Sequence, residues 1–215
     1  MRQPFLPRAL PGLRLVVLAL TLAAAGCAST RVVHEWTNPD VASARFKKFL
    51  VIAISKQPGI RRSFEDEFVA KLKAMGIDAV PSYGFITEDG PVEEPKLREA
   101  VQKAGADATL VSRLVRVERK YSADPGYYYP PVYYPPVAGF GFYRGYTAAW
   151  LGYYEPAVYP YDVFISETSL YDTAKNQLIW SGTVETMPEN INKDISRYVD
   201  TVIDALKKKS LLAAG

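Results

Sequence analysis

Residues 49–54 read Phe-Leu-Val-Ile-Ala-Ile, a run of six apolar side chains without a charge. A run of this length and composition is typical of a strand buried on both faces of a sheet. Pro58 and Gly59 follow it closely and break the pattern. The sequence therefore predicts a central, buried strand at this point.

The elements that follow this strand predict a parallel arrangement. Residues 64–75 carry apolar side chains at helical spacing and predict an amphipathic helix. Residues 77–83 predict a less central strand, because Pro81 cannot donate to a ladder. A second helix over 95–104 and a third strand over 108–118 complete a β-α-β-α-β order, which favours a parallel sheet with right-handed crossovers.

The C-terminal part predicts a hairpin and a helix. Residues 162–171 and 177–186 alternate as strands do, and the turn at 172–176 joins them. Apolar residues then recur at helical spacing from Ile191 to Leu206. The predicted fold class is α/β: β-α-β-α-β, an antiparallel hairpin and a C-terminal helix, in one mixed sheet of three to five strands packed by helices.

The first 26 residues have the organisation of a secretory signal peptide. Three arginines and no acid lead into the apolar run 15–25, which is too short to span a bilayer. Small residues then precede Cys27, the only cysteine of the chain. This arrangement resembles the bacterial lipobox, which implies cleavage after Gly26 and attachment of lipid acyl chains such as palmitate to Cys27. The alternative is an ordinary signal peptide that happens to contain a cysteine.

These assignments divide the chain into a signal peptide (1–26), a tether (27–44) and a single α/β domain (45–210). Cleavage removes three arginines, so Lys+Arg falls from 26 to 23 and equals the 23 acidic residues. A neutral mature chain predicts no nucleic-acid partner. The tether contains His34 and Trp36, which are either a docking motif near the membrane or a solvated histidine beside a tryptophan that caps the core.

One segment interrupts the predicted domain. Residues 121–161 hold 12 of the 15 tyrosines together with seven prolines. Such dense prolines favour polyproline II and exclude an interior strand, and tyrosine is enriched in binding surfaces. The segment is thus a candidate binding surface, or else a poorly ordered loop on the domain or the membrane interface. The candidate residues are Tyr127, Tyr128, Tyr129, Tyr133, Tyr134, Tyr143, Tyr146 and Trp150.

Motifs that carry chemistry are not found in this sequence. A single cysteine excludes an internal disulfide, and a single histidine excludes a histidine-rich metal site. There is no phosphate loop and no metalloprotease motif. We therefore predict no catalytic residue, no metal and no cofactor.

Five stretches of the sequence together resemble a family of small bacterial lipoproteins of uncharacterised function, domain of unknown function family 4136. The resemblance spans about residues 30–210, implies a lipoprotein, and transfers no catalytic residue. The predicted topology is also similar to the N-terminal domain of TolB and related periplasmic lipoprotein modules, which is an analogy of fold alone. The five stretches are Phe49–Ile54, Arg61–Asp66, Gly105–Ala108, Glu167–Asp172 and Leu178–Gly182.

The predicted function is that of a non-enzymatic, lipid-anchored envelope protein that binds a protein or cell-wall glycan and faces the periplasm. The resemblance implies the outer membrane, because Ala28 stands where inner-membrane lipoproteins usually carry Asp. One alternative is a hydrolase of envelope polymers, which would need paired carboxylates with perturbed pKa values. Another is a structural subunit of an envelope assembly, signalled by an exposed sheet edge or apolar patch. The candidate carboxylates are Glu118, Glu155, Asp162 and Glu167.

Overall fold

The computed structural model describes residues 30–41, 46–119, 141–151 and 162–212. Within these ranges the chain forms six strands and four α-helices. The strands are β1 (Thr30–Thr37), β2 (Lys48–Ile54), β3 (Asp78–Pro81), β4 (Ala108–Arg119), β5 (Asp162–Asp172) and β6 (Gln177–Thr186). The helices are α1 (Pro58–Ala74), α2 (Glu94–Ala104), α3 (Phe142–Leu151) and α4 (Ile191–Lys208).

All six strands belong to one mixed sheet with the order β1-β6-β5-β4-β2-β3. β2 pairs in parallel with β3 and β4, as the β-α-β-α-β pattern predicts. β4 and β5 pair antiparallel, β5 and β6 form the predicted hairpin, and β1 adds antiparallel to β6. The predicted α/β class, with a hairpin and a C-terminal helix, is confirmed.

The apolar strand β2 is buried on both faces of the sheet. Phe49 and Val51 pack against the core that α1 and α4 cover. Leu50 and Ile52 point to the opposite face, where α2 and α3 cover a second core. Because both sides are covered, this strand tolerates no alternation of polar residues, which is why its sequence is a continuous apolar run.

Helix α1 begins at Pro58, six residues before the predicted start at residue 64. Proline suits the first turn of a helix, where its missing N–H has no partner to lose. The Pro58-Gly59 pair therefore starts the helix as well as ending the strand. α4 is capped by Asn190, whose side chain accepts hydrogen bonds from the backbone N–H of Asn192 and Lys193.

β1 is a strand that the sequence assigned to the tether. Its side chain Arg31 pairs with Glu185 of β6 at 2.9 Å, and Asn38 just beyond its end donates to the Leu178 carbonyl. A register shift between Val32 and His34 interrupts the alternation, which hides the strand from a periodicity search. This strand brings the sheet to six, one more than predicted.

The two side chains that the sequence singled out in the predicted tether, His34 and Trp36, differ in burial. Trp36 is half-buried and packs against the second core, as the capping interpretation expected. His34 is exposed on β1.

α3 lies within the Tyr/Pro-rich segment, where the sequence predicted polyproline II or loop. Phe142, Tyr143 and Tyr146 of this helix are buried in the second core. Gly145 permits α3 to approach Tyr171 of β5 closely, since a Cβ at this position would lie 2.4 Å from the Tyr171 hydroxyl. Residues 120–140 and 152–161 lie outside the described residues.

Candidate functional site

A groove of about 630 Å³ opens between α1 and α4 on the first face of the sheet. It lies at the carboxyl end of the parallel strand β2 and beside the middle of β4, and open α/β sheets bind ligands outside the carboxyl ends of their strands. Its volume is in the range of about 300–1,000 Å³ that is usual for small-molecule sites. The apolar side chains of its walls include Ile60, Phe64, Leu114, Phe164 and Ile195.

Small side chains on the sheet leave the space for this groove. Ala53 of β2, Ser112 of β4 and Ser166 of β5 form its floor. Two residues further along the same face, Val51 and Leu110 fill the corresponding space and pack against α1 and α4. The change from large to small side chains thus turns a packed core into an open groove at one end.

Two hydroxyl groups that line the groove are joined through a third, that of Thr168. Ser112 Oγ lies 2.7 Å from Thr168 Oγ1, which lies 2.7 Å from the Tyr198 hydroxyl of α4. Burial raises the pKa of Tyr198 well above its ordinary value. These three hydroxyls are therefore hydrogen-bonded to one another, and Tyr198 is neutral at physiological pH.

Two further hydroxyls at one end of the groove have no hydrogen-bond partner among the described residues. Thr186 of β6 lines the groove, and its side chain is only 4% exposed. Thr30 of β1 stands directly opposite Thr186 in the ladder and is also buried and unpaired. Buried hydroxyls without a partner are uncommon and mark a place where a ligand can supply one.

Charged groups around the groove are held in ion pairs. Arg197 of α4 binds Asp194 and also Glu189, with 3.0 Å between its Nη1 and the Glu189 Oε1. Asp194 accepts a further hydrogen bond from the backbone N–H of Glu189. Arg113 and Glu167 form a further pair at 2.8 Å, but the alternation of β4 places it on the opposite face of the sheet, with Val111 of the second core. The two acidic groups that line the groove, Glu189 and Asp194, are therefore both engaged by Arg197.

A buried ion pair fixes the N-terminal half of α1, which forms one wall of the groove. Glu65 is fully buried and accepts hydrogen bonds from the Ala53 N–H, the Ser82 hydroxyl and the Tyr83 N–H. Arg61, one turn earlier, pairs with it at 3.2 Å. Burial raises the pKa of the Glu65 carboxyl, and these hydrogen bonds oppose the rise. The network ties α1 to the end of β2, so the groove wall is rigidly placed.

The carboxylates predicted for a hydrolase are paired with arginines of β4. Glu118 pairs with Arg116, Asp162 with Arg119 at 3.5 Å, and Glu167 with Arg113. None of these three carboxylates lines the groove. Glu155 lies outside the described residues.

The predicted aromatic surface falls into two groups. Tyr143 and Tyr146 are buried, and Trp150 is half-buried, all against the second core on the face opposite the groove. Arg98 of α2 covers the Tyr143 ring, with its guanidinium carbon 3.5 Å from the ring centre. These rings pack α3 onto the sheet, and a role for them in binding stays a prediction. Tyr127, Tyr128, Tyr129, Tyr133 and Tyr134 lie outside the described residues.

Cys27, the predicted lipidation site, also lies outside the described residues. Within the described ranges, no group of three or more His, Cys, Asp or Glu side chains is placed to hold a metal ion. Among the helices described, none has both the length and the apolar character needed to cross a bilayer.

Sequence reasoning missed the groove, although one signal for it exists. Ala53, Ser112 and Ser166 are small residues within predicted strands, and each directly follows a large apolar residue. Nothing in the sequence alone shows that these three positions meet. Their meeting depends on the strand order β5-β4-β2, which only the fold reveals.

The fold and the groove define this chain as an α/β module with a ligand-sized groove between two helices. No protein-family model matches it, so its membership of the lipoprotein family that it resembles stays a prediction. The search of curated proteins gave no match either.

Solved structures with a similar arrangement include a PelC dodecamer from Paraburkholderia phytofirmans. It shares 16% sequence identity, covers 85% of this chain and 98% of its own, and has a TM-score of 0.42. Another is the lipoprotein GNA1162 from Neisseria meningitidis, at 13% identity, 76% and 95% coverage and a TM-score of 0.37. Similarity at this level assigns no function to the present chain.

Proposed function

We propose that this chain is a lipid-anchored cell-envelope module that binds an apolar ligand in the groove between α1 and α4 and performs no chemistry on it. The groove itself is the observation that carries the proposal. It has the volume of a small-molecule site, apolar walls, and a few polar groups that converge on its floor. That combination is the usual design of a binding pocket.

The anchoring part of the proposal rests on the sequence. Cys27 follows small residues at the end of an apolar run of signal-peptide length, as the lipobox requires. Ala28 at the next position favours the outer membrane, with the domain facing the periplasm. Two or more acyl chains would hold the chain stably, because a single chain binds a membrane only marginally.

The polar groups of the groove support binding rather than catalysis. A general acid or base must exchange a proton with the substrate, so it needs a titratable side chain within hydrogen-bond reach of the substrate. Asp194 and Glu189 are engaged by Arg197, and the hydroxyls of Ser112 and Tyr198 are joined through Thr168. We therefore assign these groups to shaping the groove and not to proton transfer.

The proposal is tested with an apolar fluorescent probe, N-phenyl-1-naphthylamine, and the mature chain carrying Cys27→Ser. We expect saturable binding to one site. Ser166→Phe puts a ring onto the groove floor and should weaken the probe at least about tenfold, since the ring takes the space the probe needs. The matched control is Ser63→Phe, on an exposed position of α1.

Circular dichroism and thermal melting of both variants show whether each retains the fold. Equal binding by the Ser166→Phe and Ser63→Phe chains, with both folded, would refute the groove as the binding site. Absence of saturable binding by the parent chain would refute the proposed function altogether.

A further inference from the structure

We infer that the occupant of the groove is an acyl chain attached to Cys27 of the same molecule. This inference rests on the proposed function, because it requires both the lipid on Cys27 and an apolar ligand in the groove. It goes further by naming the ligand and its source. Four observations support it. They are the position of β1 beside the groove, the short stretch of chain between β1 and Cys27, the unpaired hydroxyls at this end of the groove, and the charges around it.

The position of β1 brings the N-terminal end of the described chain to the groove. β1 begins at Thr30, which stands directly opposite Thr186 in the antiparallel ladder. Thr186 lines the groove. Adjacent strands lie about 4.8 Å apart, so Thr30 is one strand spacing from the groove and on the same face of the sheet.

The distance left to Cys27 is short. Only Ala28 and Ser29 separate Cys27 from Thr30 in the sequence. Three residue steps span at most about 11 Å even when fully extended. The sulfur of Cys27 and its amine are therefore always within a short distance of this end of the groove, and an acyl chain attached there reaches into it.

The polar groups at this end match the linkage of a lipid. Thr30 and Thr186 each bury a hydroxyl that has no partner among the described residues. An acyl chain on a lipidated cysteine begins at an ester or amide carbonyl, which is a hydrogen-bond acceptor. The two threonines can donate to such carbonyls while the hydrocarbon extends between the apolar walls, for example Phe164 and Leu114.

The charges around the groove favour this source over a membrane phospholipid. Glu189 and Asp194 line the groove close to the start of α4, and Arg197 sets one positive charge against their two negative charges. A phospholipid would bring a phosphate beside this cluster, whose remaining negative charge repels it. The linkage to Cys27 carries carbonyl groups and no phosphate, so it meets no such repulsion.

Attachment also favours occupation of the groove by the chain's own acyl group over a free lipid, because it raises the effective concentration of that group at the groove. A ligand on a short tether has an effective concentration in the millimolar range, far above that of a free molecule at micromolar protein. The attached acyl chain should therefore hold the groove under conditions in which an identical free chain leaves it open.

The experiment uses the single cysteine of the mature chain, residues 27–215. One sample is alkylated at Cys27 with N-hexadecylmaleimide and its matched control with N-ethylmaleimide. Binding of N-phenyl-1-naphthylamine is measured for both, and sedimentation gives their association state. A third sample is the ethyl-labelled chain mixed with equimolar N-hexadecylmaleimide that has been quenched with N-acetylcysteine.

We expect the ethyl-labelled chain to bind the probe and the hexadecyl-labelled chain to bind it at least about tenfold more weakly while staying monomeric. The free quenched conjugate at equimolar concentration should leave binding unchanged. In a Ser166→Phe background the attached hexadecyl chain should leave the groove, and the labelled protein should self-associate or bind phosphatidylcholine vesicles more strongly than the labelled parent.

Three results would overturn the inference. The hexadecyl-labelled chain could bind the probe as well as its ethyl control, or it could lose probe binding only by self-association. The free conjugate could displace the probe as well as the attached chain does, which would make the groove a general lipid site. Failure of the ethyl-labelled chain to bind the probe at all would instead refute the proposed function, so the two failures are distinguishable.

Discussion

Thr186 of β6 and Thr168 of β5 are two buried threonines whose hydroxyls have opposite surroundings. The Thr186 hydroxyl is buried without a partner among the described residues, whereas the Thr168 hydroxyl joins Ser112 to Tyr198. An unpaired buried hydroxyl costs about 1–3 kcal/mol, and a satisfied one contributes about 1 kcal/mol. Replacing each by valine, which has nearly the same shape, separates these two effects.

We expect Thr186→Val to raise the free energy of unfolding of the unlipidated chain by about 1 kcal/mol. Thr168→Val should lower it by about 1–3 kcal/mol, because Ser112 and Tyr198 then lose their common partner. Urea denaturation of both variants in the Cys27→Ser background gives the two values. A destabilised Thr186→Val chain would show that its hydroxyl has a partner in solution.

The buried tyrosines predict how stability depends on pH. Burial raises the pKa values of Tyr171 and Tyr198 above the ordinary value of 10.0. The folded state therefore binds these protons more tightly than the unfolded state does. Stability is complete below about pH 10 and falls as the pH rises further, since ionisation then favours the unfolded chain.

Chemical denaturation at a series of alkaline pH values measures this fall, and the ultraviolet absorbance of tyrosinate follows ionisation in parallel. We expect part of the tyrosine titration to coincide with unfolding. Complete ionisation of all tyrosines near pH 10 in a chain that stays folded would contradict the burial of these two side chains.

Among the elements, α3 determines whether the Tyr/Pro-rich segment 121–161 can be replaced without loss of stability. Arg119 and Asp162 pair at the adjoining ends of β4 and β5, so a short Gly/Ser turn could connect these strands in place of residues 121–161. Shortening a loop changes its closure entropy by only about 0.6 kcal/mol per halving of its length, so the shorter connection by itself costs little. The replacement also removes Phe142, which is fully buried in the second core.

We expect the replacement to lower the free energy of unfolding by at least about 3–5 kcal/mol, the usual cost of truncating a single core phenylalanine. Phe142→Ala in the full chain should show a comparable loss. Thr147→Ala, at an exposed position of the same helix, should stay within about 0.5 kcal/mol of the parent. A replaced chain that melts like the parent would show that α3 adds nothing to the core.

Elements with a strong and regular pattern were predictable from the sequence. We could predict β2 from its apolar run, α4 from its helical spacing, and the β5–β6 hairpin from its alternation. In each case burial imposes the sequence pattern directly. β1 was not predicted because an edge strand is half exposed and its alternation is broken between Val32 and His34. α3 was not predicted because it lies between tyrosines and prolines, which indicate irregular structure.

The groove was less predictable than the elements that form it. It combines side chains from β2, β4, β5 and β6 with two helices that are more than a hundred residues apart in sequence. A sequence pattern reports which face of one element is buried, but it does not report a space left between elements. The tyrosines were the visible candidates, and those that the structure describes belong to α3 and its packing.

At the scale of the whole molecule, Cys27 should determine where the protein is found. We expect Cys27→Ser to release the protein from the membrane fraction, since it removes the lipid, and to leave the fold intact because Cys27 precedes β1. Fractionation before and after a high-salt wash measures this, with thermal melting of the released chain as a check on folding. Retention of the variant in the washed membrane fraction would show that lipid is not the anchor.

β1 also has a consequence for the order in which the chain folds. Arg31 and Glu185 face each other across β1 and β6 although they are 154 residues apart in sequence. The first strand to emerge during synthesis or export therefore has no partner until the sixth strand has followed it, and contacts between such distant segments form slowly. In pulse-labelling hydrogen exchange, we expect amides of β1 to gain protection after those of the β5–β6 hairpin.

Before β1 has paired, the sheet presents an unpaired β6 edge. A second newly exported copy could insert its own first strand at this edge and produce an exchanged dimer.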